Sequence, residues 1–132
     1  MSGISDINTL LKSMSPKLRE GTYVFITLPK EDFEQLNVNP MLVFEEEEDT
    51  TLIITKEEAD SNKLPYEATW SLITLSIHSD LEAVGFLAAI SNKLAEARIS
   101  VNVISAYYHD HLFVPVDKTE LAMEVLAKLS DT

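Results

Sequence analysis

The stretch from Trp70 to Val116 constrains the fold more than any other part of the chain. Its first run, Leu72-Ile73-Thr74-Leu75-Ser76-Ile77, is dense in β-formers and stops at the polar cluster His78-Ser79-Asp80, as a strand does on entering a loop. Ser79 and Glu82 then stand in the S-x-x-E spacing in which a hydroxyl and a carboxylate satisfy two free backbone N–H groups, so a helix is expected to open there. Leu81, Val84, Leu87, Ala88, Leu94 and Ala95 share one side of the helical wheel, and Phe86, Ile90 and Ala97 widen that side.

After Arg98 the period becomes that of a strand through Val101, Asn102, Val103, Ile104, Ser105 and Ala106, with Tyr107-Tyr108 closing the run. His109-Asp110-His111 reads as a short polar turn before Leu112-Phe113-Val114-Pro115-Val116, which makes the two strands an antiparallel hairpin. Pro115 cannot donate a ladder hydrogen bond and belongs at an edge or a strand end. Asp117-Lys118-Thr119-Glu120 repeats the helix opening, and Leu121, Val125, Leu126 and Leu129 supply the apolar face that follows. The order β-α-β-β-α is most of a ferredoxin-like, split βαβ unit of the α+β class. Its fourth strand is missing, so that position must be filled by the N-terminal half, filled by another subunit, or left as an edge.

The N-terminal half offers a compressed version of the same order. A short amphipathic helix with Ser5 or Asp6 as cap carries Ile7, Leu10, Leu11 and Met14 on one face, and Ser15-Pro16 ends or redirects it. The run Thr22 to Leu28 is a strand stopped by Pro29, and one helical turn from Lys30 to Gln35 points Phe33 and Leu36 inward. Met41 to Phe44 and Thr50 to Thr55 are two strands joined by the acidic run Glu45 to Asp49; Thr55 and Glu58 have capping-box spacing for a helix over Lys56 to Asp60. Leu64-Pro65-Tyr66 is the expected linker, which gives a first unit at 1–64 and a second at 65–132, tandem antiparallel sheets each with its helices on one face.

Composition narrows the function. The chain has no cysteine, which excludes disulfides, thiolate metal sites and thiol catalysis. A net charge of −12 without a basic stripe opposes nucleic-acid binding. No run approaches the roughly 18 to 20 apolar residues of a spanning helix, and no export signal is visible, so a soluble cytoplasmic protein without a membrane partner is expected.

The segments Glu82 to Ile90, Leu94 to Val101, Ile104 to Tyr107 and Leu112 to Val114 together resemble the ACT domain, in particular its subgroup in cytosolic amino-acid sensors and small bacterial tandem-ACT proteins. Leu18 to Thr55, with Gly21-Thr22-Tyr23-Val24-Phe25, is similar to the divergent first ACT-like unit of those proteins. The resemblance implies a regulatory module that does no chemistry, uses no cofactor, and binds an amino acid or other small molecule at an interface between paired domains, with a homodimer as the expected assembly. It also implies a ligand site on the loop and first helical turn after the first strand, facing the second strand of a neighbouring unit. Those positions are Ser79, Asp80, Glu82, Ala83, Val84, Gly85 and Phe86 on the loop side, and Val101, Asn102, Val103, Ile104 and Ser105 on the strand side. Two departures stand out: Arg98 where the family often has Gly, and Glu82-Ala83-Val84-Gly85 for its Asp-x-x-Gly.

Physical chemistry supports the same place, because a helix N-terminus carries about half a positive charge and free N–H groups that suit a carboxylate. Gly85 either lets a ligand approach or makes room for helix packing; Ser79 and Glu82 serve as caps or as contacts; Asn102 meets a ligand amine or faces solvent. The remaining candidates are weaker. His109-Asp110-His111, with His78, lacks the four committed ligands of a structural zinc site, and Glu45 to Asp49 lacks the spaced pattern of a calcium loop. No nucleophile, phosphate-binding or metalloprotease motif is present, so no catalytic or metal residue is assigned, and an enzyme built on His78, His109 and Asp110 is the least favoured reading. A homodimeric interaction module without ligand is the alternative to a sensor.

Overall fold

The computed structural model describes residues 6–77 and 84–130. By contacts the chain divides into a middle unit, Gly21–Trp70, and a discontinuous unit made of Met1–Glu20 with Ser71–Thr132. The boundary of the two family-like halves drawn from the sequence placed the leading helix with the first unit, whereas its apolar face packs in the second.

In the discontinuous unit, α1 (Ile7–Ser13) is capped by Asp6, whose carboxylate accepts from the Thr9 amide at 3.0 Å and the Thr9 hydroxyl at 2.7 Å. The cap is a carboxylate at a helix N-terminus, and its two donors hold its pKa below the ordinary value. Ser15, at φ 42°, turns the chain into β1 (Pro16–Leu18). This short strand pairs antiparallel with β5 (Trp70–Leu75) in the register Pro16–Leu75, Lys17–Thr74, Leu18–Ile73. The hairpin β6 (Asn102–Ser105) and β7 (Asp110–Pro115) completes the strand order β1-β5-β7-β6. The leading segment therefore fills the position of the missing fourth strand. With α4 (Phe86–Glu96) and α5 (Thr119–Ser130), α1 closes over a core of Leu10, Met14, Ile73, Leu75, Phe86, Ile90, Leu94, Leu112, Val114, Ala122 and Leu126. Ile73 and Leu75 on β5, and Leu112 and Val114 on β7, enter that core at the period of two that a strand requires.

Three local expectations are corrected. The buried stripe of α4 is Phe86, Ile90 and Leu94, spaced by four, while Ala88 and Ala95 are exposed; with the helix starting at Phe86, its phase follows the aromatic ring. The hairpin turns at Tyr107-Tyr108, closed by the Ala106 amide on the His109 carbonyl at 3.0 Å, so Asp110 and His111 belong to β7. On α5, Leu121 is exposed and Ala122 takes the inward place, because Thr119 bonds back to the Val116 carbonyl and to Ser71 and so fixes the helix rotation.

The middle unit has β2 (Tyr23–Leu28), α2 (Lys30–Phe33), β3 (Leu42–Glu45), β4 (Thr50–Thr55) and α3 (Lys56–Ser61). Its strands run β3-β4-β2, all antiparallel, the order of a split βαβ. Val24, Ile26, Leu28, Leu52, Ile54 and Ala59 form its core, with Phe33 and Leu36 against it as expected. The acidic run is the β3–β4 hairpin loop: the Glu46 amide donates to the Asp49 carbonyl at 3.0 Å, and Glu45 pairs with Lys30 at 3.0 Å. Thr55 caps α3 by accepting from the Glu58 amide at 3.1 Å. Leu64 and Tyr66, half-buried, pack against this core, and the Tyr66 hydroxyl donates to Asp60 at 2.7 Å. Trp70 pairs with Tyr23 and sets its ring edge-on to Phe25 at 5.7 Å.

Candidate functional site

The turn that opens α4 is the part of the expected site that the structure describes. Ser79, Asp80, Glu82 and Ala83, with the expected capping box and His78, lie outside the described residues. Gly85 has φ +91° and ψ −14°, a left-handed conformation that favours glycine, and stands at the N-cap with no side-chain hydrogen bond. Its carbonyl accepts from the Ala89 amide at 2.9 Å, which closes the first turn. A Cβ at Gly85 would meet the Ile7 δ-methyl at 3.3 Å, so the neighbour that approaches this glycine from inside is α1. Phe86 is buried at 2% exposure and anchors the turn, whereas Val84 is 86% exposed and carries no packing duty. Gly85 itself offers no side chain to cap the amides at the start of α4, and free amides at a helix N-terminus suit an anionic group.

The strand side of the expected site is β6, at one end of its unit's sheet. Asn102 pairs with Phe113, Val103 with Leu112, Ile104 with His111 and Ser105 with Asp110. Asn102 and Ser105 are exposed; Val101 and Val103 pack partly against the core. Between β5, the strand that precedes the Gly85 turn in the chain, and β6 lies β7, which sets β5 and β6 two strand spacings, about 10 Å, apart.

Sequence reading missed a polar relay on the sheet. Arg19, just past β1, donates from its guanidinium to Thr74 Oγ1 on β5 at 3.3 Å, and Thr74 Oγ1 lies 2.9 Å from His111 Nδ1 on β7. Thr74 Oγ1 accepts from the guanidinium and, according to the imidazole tautomer, either donates its proton to Nδ1 or accepts from an Nδ1–H as well. Burial holds the His111 pKa below its usual value, helped by His109 and Arg19 and opposed by Asp110. His109 Nδ1 donates to the Ile77 carbonyl at 3.3 Å. The only sequence trace of this relay was the alternation of His109 and His111, which places both on one face of an extended segment. Among the described residues no group of His, Asp and Glu could hold a metal ion. No helix among them is long and apolar enough to cross a membrane.

Comparison with known proteins follows the two halves of the chain. One family model, described as an ACT domain, matches residues 2–71, and a second, also an ACT domain, matches residues 67–128. A Vibrio cholerae protein of unknown function, described as a possible transport protein, is 48% identical over 89% of each chain, with a TM-score of 0.81. The ligand-free regulatory subunit of aspartate kinase from Thermus thermophilus has a TM-score of 0.68 at 10% identity, over 89% of this chain and 98% of that one. An Agrobacterium tumefaciens protein has a TM-score of 0.70 at 15% identity, over 87% of each chain. Searching the curated proteins returns no match.

Proposed function

Because the chain belongs to the ACT-domain family along both of its halves, we propose that it is a non-catalytic regulatory protein whose effector is a small molecule, an amino acid, held at an interface between domains or subunits. The observation that carries this reading is the Gly85 turn: an 11-residue helix opens on a left-handed glycine, which brings no capping side chain of its own, beside an exposed Val84. The effector carboxylate would take the amides of that turn, together with Ser79, Asp80, Glu82 and Ala83 before it. The edge strand Val101 to Ser105 of a neighbouring module would close the site, with Asn102 as the partner of the effector amine. Binding acts on regulation only if the two arrangements of the modules differ in affinity for the effector. We place the protein in the cytoplasm as a homodimer.

Thermal-shift screening against the twenty amino acids tests the proposal. A rise in melting temperature with one or a few amino acids is expected, and Val84→Asp, which sets a negative charge at the turn without disturbing the core, should remove it. Absence of any shift, or a shift that survives Val84→Asp unchanged, contradicts it.

A homodimeric interaction module without ligand is the second reading, favoured by β3. That strand ends the middle unit's sheet and exposes Phe44 (63%) and Val43, with Met41 exposed just before it. Light scattering on the eluting protein decides: a dimer dispersed by Phe44→Lys supports this reading, and a monomer at all concentrations refutes it.

A further inference from the structure

In the discontinuous unit the chain leaving β5 is held from two sides before it reaches the Gly85 turn. β5 stops at Leu75, and the Ser76 amide donates to the carbonyl of Ser15, the left-handed residue between α1 and β1, at 3.3 Å. From the β7 side, His109 Nδ1 lies 3.3 Å from the Ile77 carbonyl, while the Ile77 side chain is buried in the core. A carbonyl oxygen can only accept, so Nδ1 carries the proton, and neutral His109 is the tautomer with a bare Nε2. Further along the chain, Gly85 stands against Ile7 of α1 and Phe86 is buried. Ile77 and Phe86 are thus fixed points before and after Gly85, and His109 holds the first of them.

His109 belongs equally to the hairpin. Its carbonyl accepts the Ala106 amide at 3.0 Å and closes the Tyr107-Tyr108 turn. Two residues on, His111 Nδ1 lies 2.9 Å from Thr74 Oγ1, so the two imidazoles, 6.4 Å apart between ring centres, join β7 to β5 at successive rungs. The His109 rung lies past both strand ends, because β7 begins at Asp110 and β5 ends at Leu75. There a side chain carries the link where the ladder has stopped. The ring is half-buried and exchanges this bond against water, so the link can open and reclose at small cost.

We infer that His109 is a positioning residue for the effector turn. Its ring joins the exit of β5 to the β6–β7 turn, so the turn before α4 and the strand β6 of one module are coupled through a hydrogen bond between packed elements. An effector on the turn then alters the strand that the same module offers to its neighbour. This role rests on the effector reading above for its ligand; the bond from His109 to Ile77 does not.

Two variants of the full-length ¹⁵N-labelled protein separate the bond from the bulk of the ring. His109→Asn keeps an N–H donor at the δ position, and His109→Phe keeps a ring without one. With no ligand added, His109→Phe is expected to displace the amide signals of residues 84–88, and His109→Asn to leave them near their wild-type positions. An amino acid that raises the melting temperature of the wild type should bind about two- to tenfold more weakly to His109→Phe, and as in the wild type to His109→Asn. Long-range ¹H–¹⁵N spectra of the wild-type ring, at a pH where it is neutral, should show the Nδ1–H tautomer. An Nε2–H tautomer, unmoved signals at residues 84–88 in His109→Phe, or equal effects of the two variants overturns the inference. Failure of every amino acid to bind the wild type contradicts the effector reading instead, and the ligand-free spectra then decide whether His109 positions the turn.

Discussion

At the scale of single residues, two backbone positions and one imidazole carry consequences that can be measured. Gly85 at φ +91° is strained for any side chain, and Ile7 stands 3.3 Å from where a Cβ would sit. The Ile7 methyl is the far end of a flexible side chain and can move, so the backbone strain dominates. Gly85→Ala should cost about 1–2 kcal/mol in urea unfolding, and Ile7→Ala should fail to restore it. Arg98 shows the converse. It lies at φ 61°, in the position where the ACT family often has glycine, at the reversal that ends α4. Arg98→Gly should therefore stabilise the protein by about 0.5–1 kcal/mol, seen as a higher urea midpoint at unchanged slope. The departure from the family pattern was legible in the sequence; that it falls on a left-handed residue was not, because Arg carries no local mark of positive φ.

His111 sets a pH dependence. Its folded pKa is lowered, chiefly by burial, so the unfolded chain binds the extra proton first as pH falls through the ordinary histidine value of about 6.5. Stability is constant above that value and declines with pH down to the folded pKa. His111→Gln, which keeps a partner for Thr74, should flatten this part of the profile. Asp6, also lowered, acts in a separate window: its contribution is present above the usual carboxylate range and lost as pH falls through its depressed value.

At the scale of elements, α1 and β1 are structural parts of the discontinuous unit. Leu10 and Met14 are fully buried in its core, so Leu10→Ala or Met14→Ala should cost about 2–5 kcal/mol, the range for a large aliphatic side chain removed from a packed core. The amphipathic pattern of α1 was readable, since four apolar residues share one face, but the identity of its partner was not, because a helix face does not specify which sheet covers it. β1 was not readable at all. Three residues that include a proline make no strand pattern, and Pro16 to Leu18 are extended only because β5 offers its edge. By contrast β2, β4, β5 and β7 announced themselves through runs of β-branched, leucine and aromatic residues that are mostly buried, and α3 through the Thr55–Glu58 cap. The polar triplet His109-Asp110-His111 misled for a physical reason. Polar residues usually leave the sheet, but here Thr74 and the Ile77 carbonyl satisfy the two imidazoles, so β7 continues through them.

At the scale of the whole molecule, sequence order and folding unit part company. The second family match covers residues 67–128, yet its fourth strand and one of the three α-helices on its core come from residues 7–18. A fragment of residues 65–132 should lack a cooperative unfolding transition by circular dichroism, and residues 1–20 joined to 71–132 by a flexible linker should recover one. Cooperative unfolding of the 65–132 fragment at full stability would contradict this architecture. The turn before α4 and the strand β6 could be picked out from the sequence as elements, because a glycine beside a helix start and a polar residue in an apolar strand both stand out. That β7 lies between β5 and β6 could not, since it depends on strand order.

The central claim, that the Gly85 turn and the β6 edge of paired modules together hold a small effector, is tested most directly by amide mapping of the full-length ¹⁵N-labelled protein. An amino acid that raises the melting temperature is predicted to shift the signals of residues 84–88 and 101–105 together, in one saturable process. Shifts confined to one of these segments, shifts elsewhere, or none with any amino acid at millimolar concentration would contradict it.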